Sequence, residues 1–578
     1  MFATVIPAIR TPRTVGGFDY VIPADQTVGV GDLVQIPFRN VVKVGIVHSI
    51  QEDPPKGIPK CKELLGRYAD LRMRPQSLQL LEALAKRSFC SLPSVLHAWL
   101  GQLPKKPETI QASKPVTGTQ MTSETRFDAD PETALLRDVM VLSKSPLRIL
   151  IIVPWAGRAS RIATQLNASV LTSQSAMGAR FKAWSTFVQG ASNVLVTTRL
   201  GAWLSTEADI VLLNEPENDD HKQDELSPRF DARWITEAAQ QFGIPVRQYG
   251  TTPPLRTFTN PTLPTRIPTL EPDLIGIDIH RADWSDIPGL QNRTVIEIER
   301  AIKAKRPISM IHPIHGDRAA LRCSDCSWQA SCSRCGASLH LQQQKLLCKR
   351  CNQHDTMSPV CPVCRGTDLS KSRPGRERME SALARYKPAP IQIHSIGSWN
   401  TAKIPEKGLI VLSDLSLFVG STEDLRKQEQ RIIHGRRLAT EALRTQSTLV
   451  VQADSSLLTA YKSWLKTEGC ELAMREELKE RALFRLPPAW RLVKIIIRGN
   501  EGHVKRQKSL LEQRLQPNDP FILNGPYEVQ HVPNSRAQRF ILHLSAPQGT
   551  PLKTIEYVLE PLMRTDVLLD LDPIAFFE

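Results

Sequence analysis

The dipeptide Gly-Lys occurs nowhere in this chain of 578 residues. A phosphate-cradling loop of the G-x-x-x-x-G-K-[ST] type needs it. The glycines let backbone N–H groups approach the phosphates, and the lysine reaches the β- and γ-phosphates. That loop is therefore excluded. No apolar run approaches the roughly 20 residues of a membrane span. The start, Met1 to Pro7, lacks the basic residues and long apolar stretch of a signal peptide, so the expectation is a cytoplasmic protein with no membrane partner. What is present is globular in composition: 41% hydrophobic and 23% charged residues. The length exceeds one core and implies roughly three to five domains. The formal charge of +15 favours a polyanionic partner, for which nucleic acid is the usual chemistry.

Eight of the eleven cysteines fall between Cys323 and Cys364, as the pairs Cys323/Cys326, Cys332/Cys335, Cys348/Cys351 and Cys361/Cys364. Each pair is C-x-x-C, a spacing that lets two thiolates converge on one ion. Two such pairs close a tetrahedral zinc site with no position left for water. Two structural zinc ions are the expectation. Four disulfides or a redox C-x-x-C are the competing readings, and a dense array in a long chain without a signal peptide fits them less well. Cys61, Cys90 and Cys470 are scattered and read as ordinary thiols.

In chain order, residues 1–58 read as a β-rich domain, with strands over Phe18–Pro23, Leu33–Phe38 and Val44–Val47 around the turn Gly29-Val30-Gly31-Asp32. Residues 62–104 change to helical spacing at Leu71, Leu78, Leu81 and Leu84, then Leu92, Val95, Leu96, Trp99 and Leu100. This predicts a winged-helix-like domain. Residues 105–131 are a Ser-, Thr- and Pro-rich linker. Residues 132–262 alternate helices with the apolar strands Leu147–Val153, Val194–Thr198 and Asp209–Leu213, which predicts a parallel α/β sheet whose strand ends would hold any ligand. Residues 263–483 form a second α/β segment that contains the cysteine module, 321–369. Its strands are Ile391–His394, Leu409–Leu412 and Thr448–Val451, with a charged helix over Thr422–Arg444. Residues 484–578 read as a C-terminal α+β domain. The fold class is multidomain α/β.

This order, with these motifs, resembles the PriA (primosomal protein N-prime) family of bacterial replication-restart helicases. The cysteine spacing, C-x2-C-x5-C-x2-C-x12-C-x2-C-x9-C-x2-C, carries most of the resemblance. Further echoes are Arg180, Trp184 and Gly190, then Thr198-Arg199, Lys222-Gln223 and Pro228-Arg229-Phe230-Asp231-Ala232-Arg233. Thr251-Thr252-Pro253-Pro254, Leu486-Pro487-Pro488 and Gly525-Pro526 complete them. The resemblance implies nested zinc sites: Cys323, Cys326, Cys361 and Cys364 on one ion, and Cys332, Cys335, Cys348 and Cys351 on the other. It also implies a 3′-DNA-end site at Phe18, Asp19 and Tyr20, with Asp19 accepting from the terminal 3′-hydroxyl. Residues 132–262 and 263–483 would be RecA-like lobes.

The nucleotide motifs of that family are degraded. The expected phosphate loop reads Arg126-Phe127-Asp128-Ala129-Asp130-Pro131-Glu132-Thr133, with three acidic residues and no glycine. The Asp-Glu-Glu-His motif reads Asn214-Glu215-Pro216-Glu217. The family's Gly-Thr-Glu is Gly375-Arg376-Glu377, Ser395-Ile396-Gly397-Ser398 replaces a Gly-Thr-Gln-Met region, and the final arginine-rich motif is absent, leaving Gly435-Arg436-Arg437. The expectation is a helicase-like DNA-binding protein of replication restart, without catalytic residues and with zinc rather than ATP as cofactor. It would recognise forks, single-strand/double-strand junctions or 3′ ends in the bacterial nucleoid, beside other primosome and single-strand-binding proteins. The alternatives are a zinc-containing interaction scaffold of the primosome, or a 3′-5′ DNA helicase with a divergent nucleotide site.

Overall fold

A computed structural model describes the chain outside residues 55–60, 102, 104–121, 260–266, 280–284, 314–319, 324–327, 329, 334–338, 343–344, 349–352, 357, 368, 373–375, 400–401, 419–425, 517–518, 530–537, 564–566 and 577–578. Cys326, Cys335, Cys351, Gly375 and most of the expected linker lie outside the described residues, as does the expected start of the charged helix.

The amino-terminal strands are β1 (Phe2–Pro7), β2 (Phe18–Val21), β3 (Asp32–Phe38), β4 (Val41–Gln51), β5 (Lys62–Glu63) and β6 (Gly66–Arg72). They form one sheet in the order β5-β2-β1-β4-β3-β6. The sheet therefore continues past residue 58, where the sequence reading ended it. In β6 only Tyr68 and Leu71 are buried, and Arg67, Asp70 and Arg72 break the apolar pattern. Arg67 and Arg72 instead reach the buried Asp32, whose carboxylate accepts from Arg72 Nε at 2.7 Å and from the Gly29 N–H at 2.8 Å. That carboxylate fixes the Gly29–Asp32 turn. Helices α1 (Pro75–Arg87) and α2 (Leu92–Leu100) follow. Among the described residues of 62–104 the strands are β5 and β6, and both belong to the first sheet, so this segment has no sheet of its own there.

The first α/β lobe contains β7 (Glu124–Phe127), α3 (Pro131–Leu142), β8 (Ile149–Ile152), α4 (Ala156–Leu166), β9 (Ser169–Leu171), α5 (Met177–Val188), β10 (Val194–Thr197), β11 (Ile210–Asn214), α6 (Ala232–Gln241) and β12 (Val246–Gly250). Every pairing in the sheet β7-β12-β11-β8-β10-β9 is parallel. The central strands β8 and β11 are buried throughout, as their unbroken apolar runs predict. β7 falls inside the expected linker. It is an edge strand with partners on one side only, so it carries the polar sequence Glu-Thr-Arg-Phe and gives no hydrophobic signal. The amino-terminal helices dock on this lobe: Trp99 stacks on Trp203 at 5.5 Å, and Arg74 pairs with Asp209 at 2.9 Å.

The second lobe begins with β13 (Leu274–Asp278), α7 (Asn292–Lys303) and β14 (Ile308–Ile311). Then comes a separate five-stranded sheet: β15 (Ala320–Cys323), β16 (Leu339–Gln342), β17 (Lys345–Cys348), β18 (His354–Thr356) and β19 (Leu369–Ser372), ordered β18-β17-β16-β15-β19. The lobe resumes with α8 (Arg376–Leu383), β20 (Ile391–His394), α9 (Ile396–Trp399), β21 (Leu409–Leu412), α10 (Lys427–Arg444), β22 (Thr448–Ala453), α11 (Ser455–Trp464) and α12 (Thr467–Leu483). Its sheet, β13-β22-β21-β14-β20, is parallel throughout. The cysteine module is thus an insertion between β14 and α8.

The C-terminal unit has β23 (Trp490–Gly499), α13 (Glu501–Glu512), β24 (Ile522–Val529), β25 (Gln538–Pro547), α14 (Leu552–Leu559) and β26 (Leu568–Leu571), with sheet order β24-β25-β23-β26. Val493, Ile495, Ile497, Leu542, Leu544 and Leu569 face a core shared with α13 and α14. The Lys222-Gln223 and Pro228–Arg233 segments, singled out in the sequence, seat this unit on the first lobe. Lys222 pairs with the buried Asp570 at 2.8 Å and donates to the Leu571 carbonyl at 2.9 Å, and Arg229 approaches Asp570 at 3.5 Å.

Candidate functional site

Strand alternation sorts the three residues expected at the DNA end. β2 pairs antiparallel with β1, with Val5 opposite Phe18, Thr4 opposite Asp19 and Ala3 opposite Tyr20. Phe18, Tyr20 and Ile22 therefore share the core face with Ala3 and Val5. Tyr20 is 3% exposed. Phe18 is half-buried and meets the Phe38 ring edge-on at 5.4 Å. Asp19 points to the other face, where its Oδ1 accepts from Thr4 Oγ1 at 2.7 Å. The neighbouring Gly17 keeps this approach open, because a Cβ there would meet Thr4 Cγ2 at 2.9 Å. The three residues are adjacent in sequence, yet Asp19 stands on a different face from Tyr20. Asp19 is a strand residue with an oriented carboxylate.

In the inserted sheet, Cys323 ends β15 and Cys348 ends β17. The Sγ atoms of Cys323, Cys361 and Cys364 lie within 4.8 Å of one another. Cys323 and Cys364 are 3.5 Å apart, Sγ to Sγ. Four thiolates about 2.3 Å from a tetrahedral zinc stand about 3.8 Å from each other, so the three fit one zinc sphere. The loop after Cys361 is shaped for thiolates. The Val363 and Gly366 N–H groups donate to the Cys361 and Cys364 sulfurs, each at 3.4 Å, and Arg365 adopts φ +63°. N–H donors to sulfur favour the thiolate that a metal needs. Cys332 and Cys348 belong together to a separate small buried cluster with Ala330, Leu339 and Leu346. The structure thus brings Cys323, Cys361 and Cys364 together and puts Cys332 and Cys348 in another group.

The third place is the set of strand ends where ligands of parallel sheets bind. At the α3 N-terminus, Asp130 caps the helix by accepting from the Thr133 N–H at 3.1 Å and from the Thr133 hydroxyl at 2.7 Å. Pro131 has no N–H to offer, and Glu132 adds negative charge to the first turn. An anion is thus opposed at this helix start. At the end of β11, Glu215 has φ +50°, is buried, and pairs with Arg158 of α4. Arg158 also approaches Glu132 at 3.6 Å, and Arg161 pairs with Glu132. Arg437 enters from α10 of the second lobe. Its Nε lies 3.7 Å from Glu215 Oε1, and its guanidinium lies 4.1 Å from the Trp155 ring and 4.7 Å from that of Trp399. Burial acts to raise the Glu215 pKa, but the Arg158 and Arg437 guanidiniums hold it at about 2. Glu217 is also buried; burial first, and then Glu215, push it up to about 8. It accepts from the Thr251 N–H at 3.2 Å, and Gly250 is required beside it, since a Cβ there would meet Glu217 Oε2 at 2.6 Å.

Sequence reasoning singles out Glu215 and the lost motifs but misses Trp155, Arg158, Glu217, Arg437 and Trp399 as parts of one site. A signal exists for two of them: Trp155 and Arg158 closely follow the end of the most apolar strand. In the sequence, Arg436 and Arg437 read as remnants beside a missing arginine motif, yet both are buried between the lobes.

Comparison with known proteins bears on the amino-terminal unit first. Residues 7–101 match the PriA "3'DNA-binding domain (3'BD)" family, a span that takes in strands β2 to β6 and helices α1 and α2. Two replication restart proteins PriA are similar along much of the chain. That of Rickettsia conorii is 22% identical over an alignment of 433 positions that covers 67% of this chain. That of Rickettsia felis is 21% identical over an alignment of 405 positions that covers 63% of this chain. The matches span 66% and 62% of those relatives' own lengths, just under two thirds. The resemblance drawn from the sequence is therefore borne out: the chain is similar to replication restart proteins PriA, and its residues 7–101 match the family's 3′ DNA-binding domain.

Proposed function

We propose that the chain is a DNA-binding protein of replication restart that recognises forks or free 3′ ends, with its two α/β lobes, RecA-like in descent, retained as a scaffold without ATPase or helicase activity. The carrying observation is the match of residues 7–101 to a 3′ DNA-binding domain. The oriented Asp19 carboxylate and the net charge of +15 support it. Asp19 accepts a hydrogen bond from the terminal 3′-hydroxyl, and Phe18 and Tyr20, on the opposite face of β2, hold the strand that presents it. Lysine and arginine side chains bind phosphates, so affinity falls steeply with salt and depends little on base sequence.

The filled strand ends support the scaffold reading. A triphosphate needs glycine N–H groups, a lysine and a magnesium-binding aspartate. Here the corresponding places hold Asp130, Pro131 and Glu132, and an Asn214-Glu215 pair already engaged by arginines. Two zinc ions complete the protein. Cys323, Cys326, Cys361 and Cys364 hold one, and Cys332, Cys335, Cys348 and Cys351 the other, both closed and structural. The zinc module and the C-terminal unit serve DNA or primosome partners.

The test is a gel-shift series with forked, gapped and blunt duplexes, run with the Asp19→Ala variant and with a magnesium-ATP turnover assay. Preference for a free 3′ end that Asp19→Ala abolishes, without turnover, is the expected result. Equal weak binding to all three DNAs would favour the protein-interaction scaffold, and magnesium-dependent turnover would favour a divergent ATPase.

A further inference from the structure

Helix α10 lays one face into the first lobe, although it belongs to the second. Gln430, Arg437 and Arg444 recur every seven residues, close to two helical turns, and so share a side. Gln430 donates to Asp219, which also pairs with Arg426 at 2.7 Å. Arg437 reaches Glu215 and lies between Trp155 and Trp399, one ring from each lobe. One position earlier, Arg436 is wholly buried. It donates to Thr252 Oγ1 at 3.1 Å on the first lobe and to the Pro268 carbonyl at 2.6 Å on the chain entering the second. Behind the helix, Glu429 accepts from the Leu255 N–H at 3.3 Å and pairs with Arg481 of α12 at 2.9 Å. These contacts run from Arg426 to Arg437 and leave the second lobe's arginines seated against the strand ends of the first.

We propose that this joint is a permanent clamp: the two lobes move as one body in every state of the protein, closed by Glu215, Arg158 and Arg437 instead of by a nucleotide. A nucleotide motor needs an open state, with the second lobe's arginines away from the acidic strand end, and a ligand that binds the closed state better. Here the protein supplies both halves of the bridge. Arg437 meets Glu215 from the second lobe and Arg158 meets the same carboxylate from the first, so one negative charge is shared by two guanidiniums. The two indoles exclude water from the guanidinium between them and strengthen the pairing. Arg437 is thus a positioning residue that fixes the angle between the lobes, and through it the relative placement of the 3′-end domain and the inserted cysteine module. The inference deepens the scaffold reading, and its test reads lobe motion rather than turnover or DNA affinity, so either can fail alone.

Hydrogen exchange on the full chain tests it, with and without magnesium-ATP and with and without forked DNA. In the wild-type protein, amides over 153–158, 214–217 and 427–444 keep the same protection in all four conditions. Arg437→Ala speeds their exchange at least tenfold and leaves β23 and β25 unchanged. Arg437→Lys gives an intermediate increase, because lysine keeps the charge and loses the planar stacking; it carries the test should the alanine variant fail to fold. Changed protection in the wild-type protein on adding nucleotide overturns the clamp, as does wild-type exchange in both variants.

Discussion

Arg437 on the second lobe and Glu215 on the first are ion partners across the cleft, with Nε 3.7 Å from Oε1, and Arg158 holds the same carboxylate from the first lobe. One buried carboxylate is thus shared by two buried guanidiniums. Removing it is predicted to be costly, because Arg437 and Arg158 both lose a buried counter-charge and Arg158 is left with Glu132, 3.6 Å away. Breaking a buried pair by deleting one partner costs about 3–5 kcal/mol. Glu215→Ala should lower the midpoint of the lobes' unfolding in urea by that order, while the double variant Glu215→Ala/Arg158→Met recovers part of the loss. Unchanged midpoints in the single variant would show that the pairing contributes nothing.

The neighbouring Glu217 gives a pH dependence of definite sign. Its carboxyl has an ordinary value of 4.5 and is pushed up to about 8 by burial and by Glu215. The folded protein therefore holds a proton that the unfolded chain releases between about pH 4.5 and 8. Over that window the unfolded state binds fewer protons, so stability from this group falls as pH rises and the penalty is complete above 8. Each tenfold difference in proton affinity between the two states is worth about 1.4 kcal/mol. Glu217→Gln should be more stable than wild type at about pH 8.5 and nearly equal to it at about pH 5, read from urea midpoints at the two pH values. Glu215 acts oppositely: held at about 2, it contributes stability that is lost as pH falls from about 4.5 through 2.

Tyr20 and Asp19 should separate under mutation because they stand on opposite faces of β2. Tyr20 is a core residue among Ala3, Val5 and Val34, so Tyr20→Ala should cost about 3–5 kcal/mol of domain stability, as large-to-small core changes do. Asp19→Ala should leave stability within about 0.5 kcal/mol and act on end recognition alone. Thermal unfolding of the two variants decides this; equal destabilisation would place Asp19 in the fold rather than at the DNA.

What can be read in the sequence follows the range of each signal. The buried strands β8 and β11 are legible because both faces are covered and their apolar runs are unbroken. The cysteine array is legible because its ligand spacing is local. β6 and β7 escape notice because edge and charged strands mark themselves only through partners distant in sequence, as Arg72 does with Asp32 and Arg126 with Asp138, 2.8 Å away. The cleft is half legible. That the segments Arg126–Thr133 and Asn214–Glu217 hold no glycine, lysine or Asp-Glu pair can be seen residue by residue. That Arg437 and Arg158 fill the space depends on pairing between segments far apart in the chain, which no periodicity reports.

The cysteines yield the remaining prediction. If Cys323, Cys361 and Cys364 share one zinc with Cys326, the wild-type chain should carry two zinc ions by elemental analysis, and Cys361→Ser should carry one. Cys348→Ser should also carry one, through the other site, and the double variant none. Nesting makes a finer claim. Cys361 and Cys323 stand on strands and loops at the two ends of the inserted segment, so losing their ion should release both ends of the module, 320–323 and 361–372. Losing the ion of Cys332 and Cys348 should release only the middle. Limited proteolysis of the two single variants distinguishes these patterns, and the lobes should survive in both because their parallel sheets do not include the module's strands. Two zincs retained in Cys361→Ser, or cleavage at the same positions in both variants, would count against nested pairing.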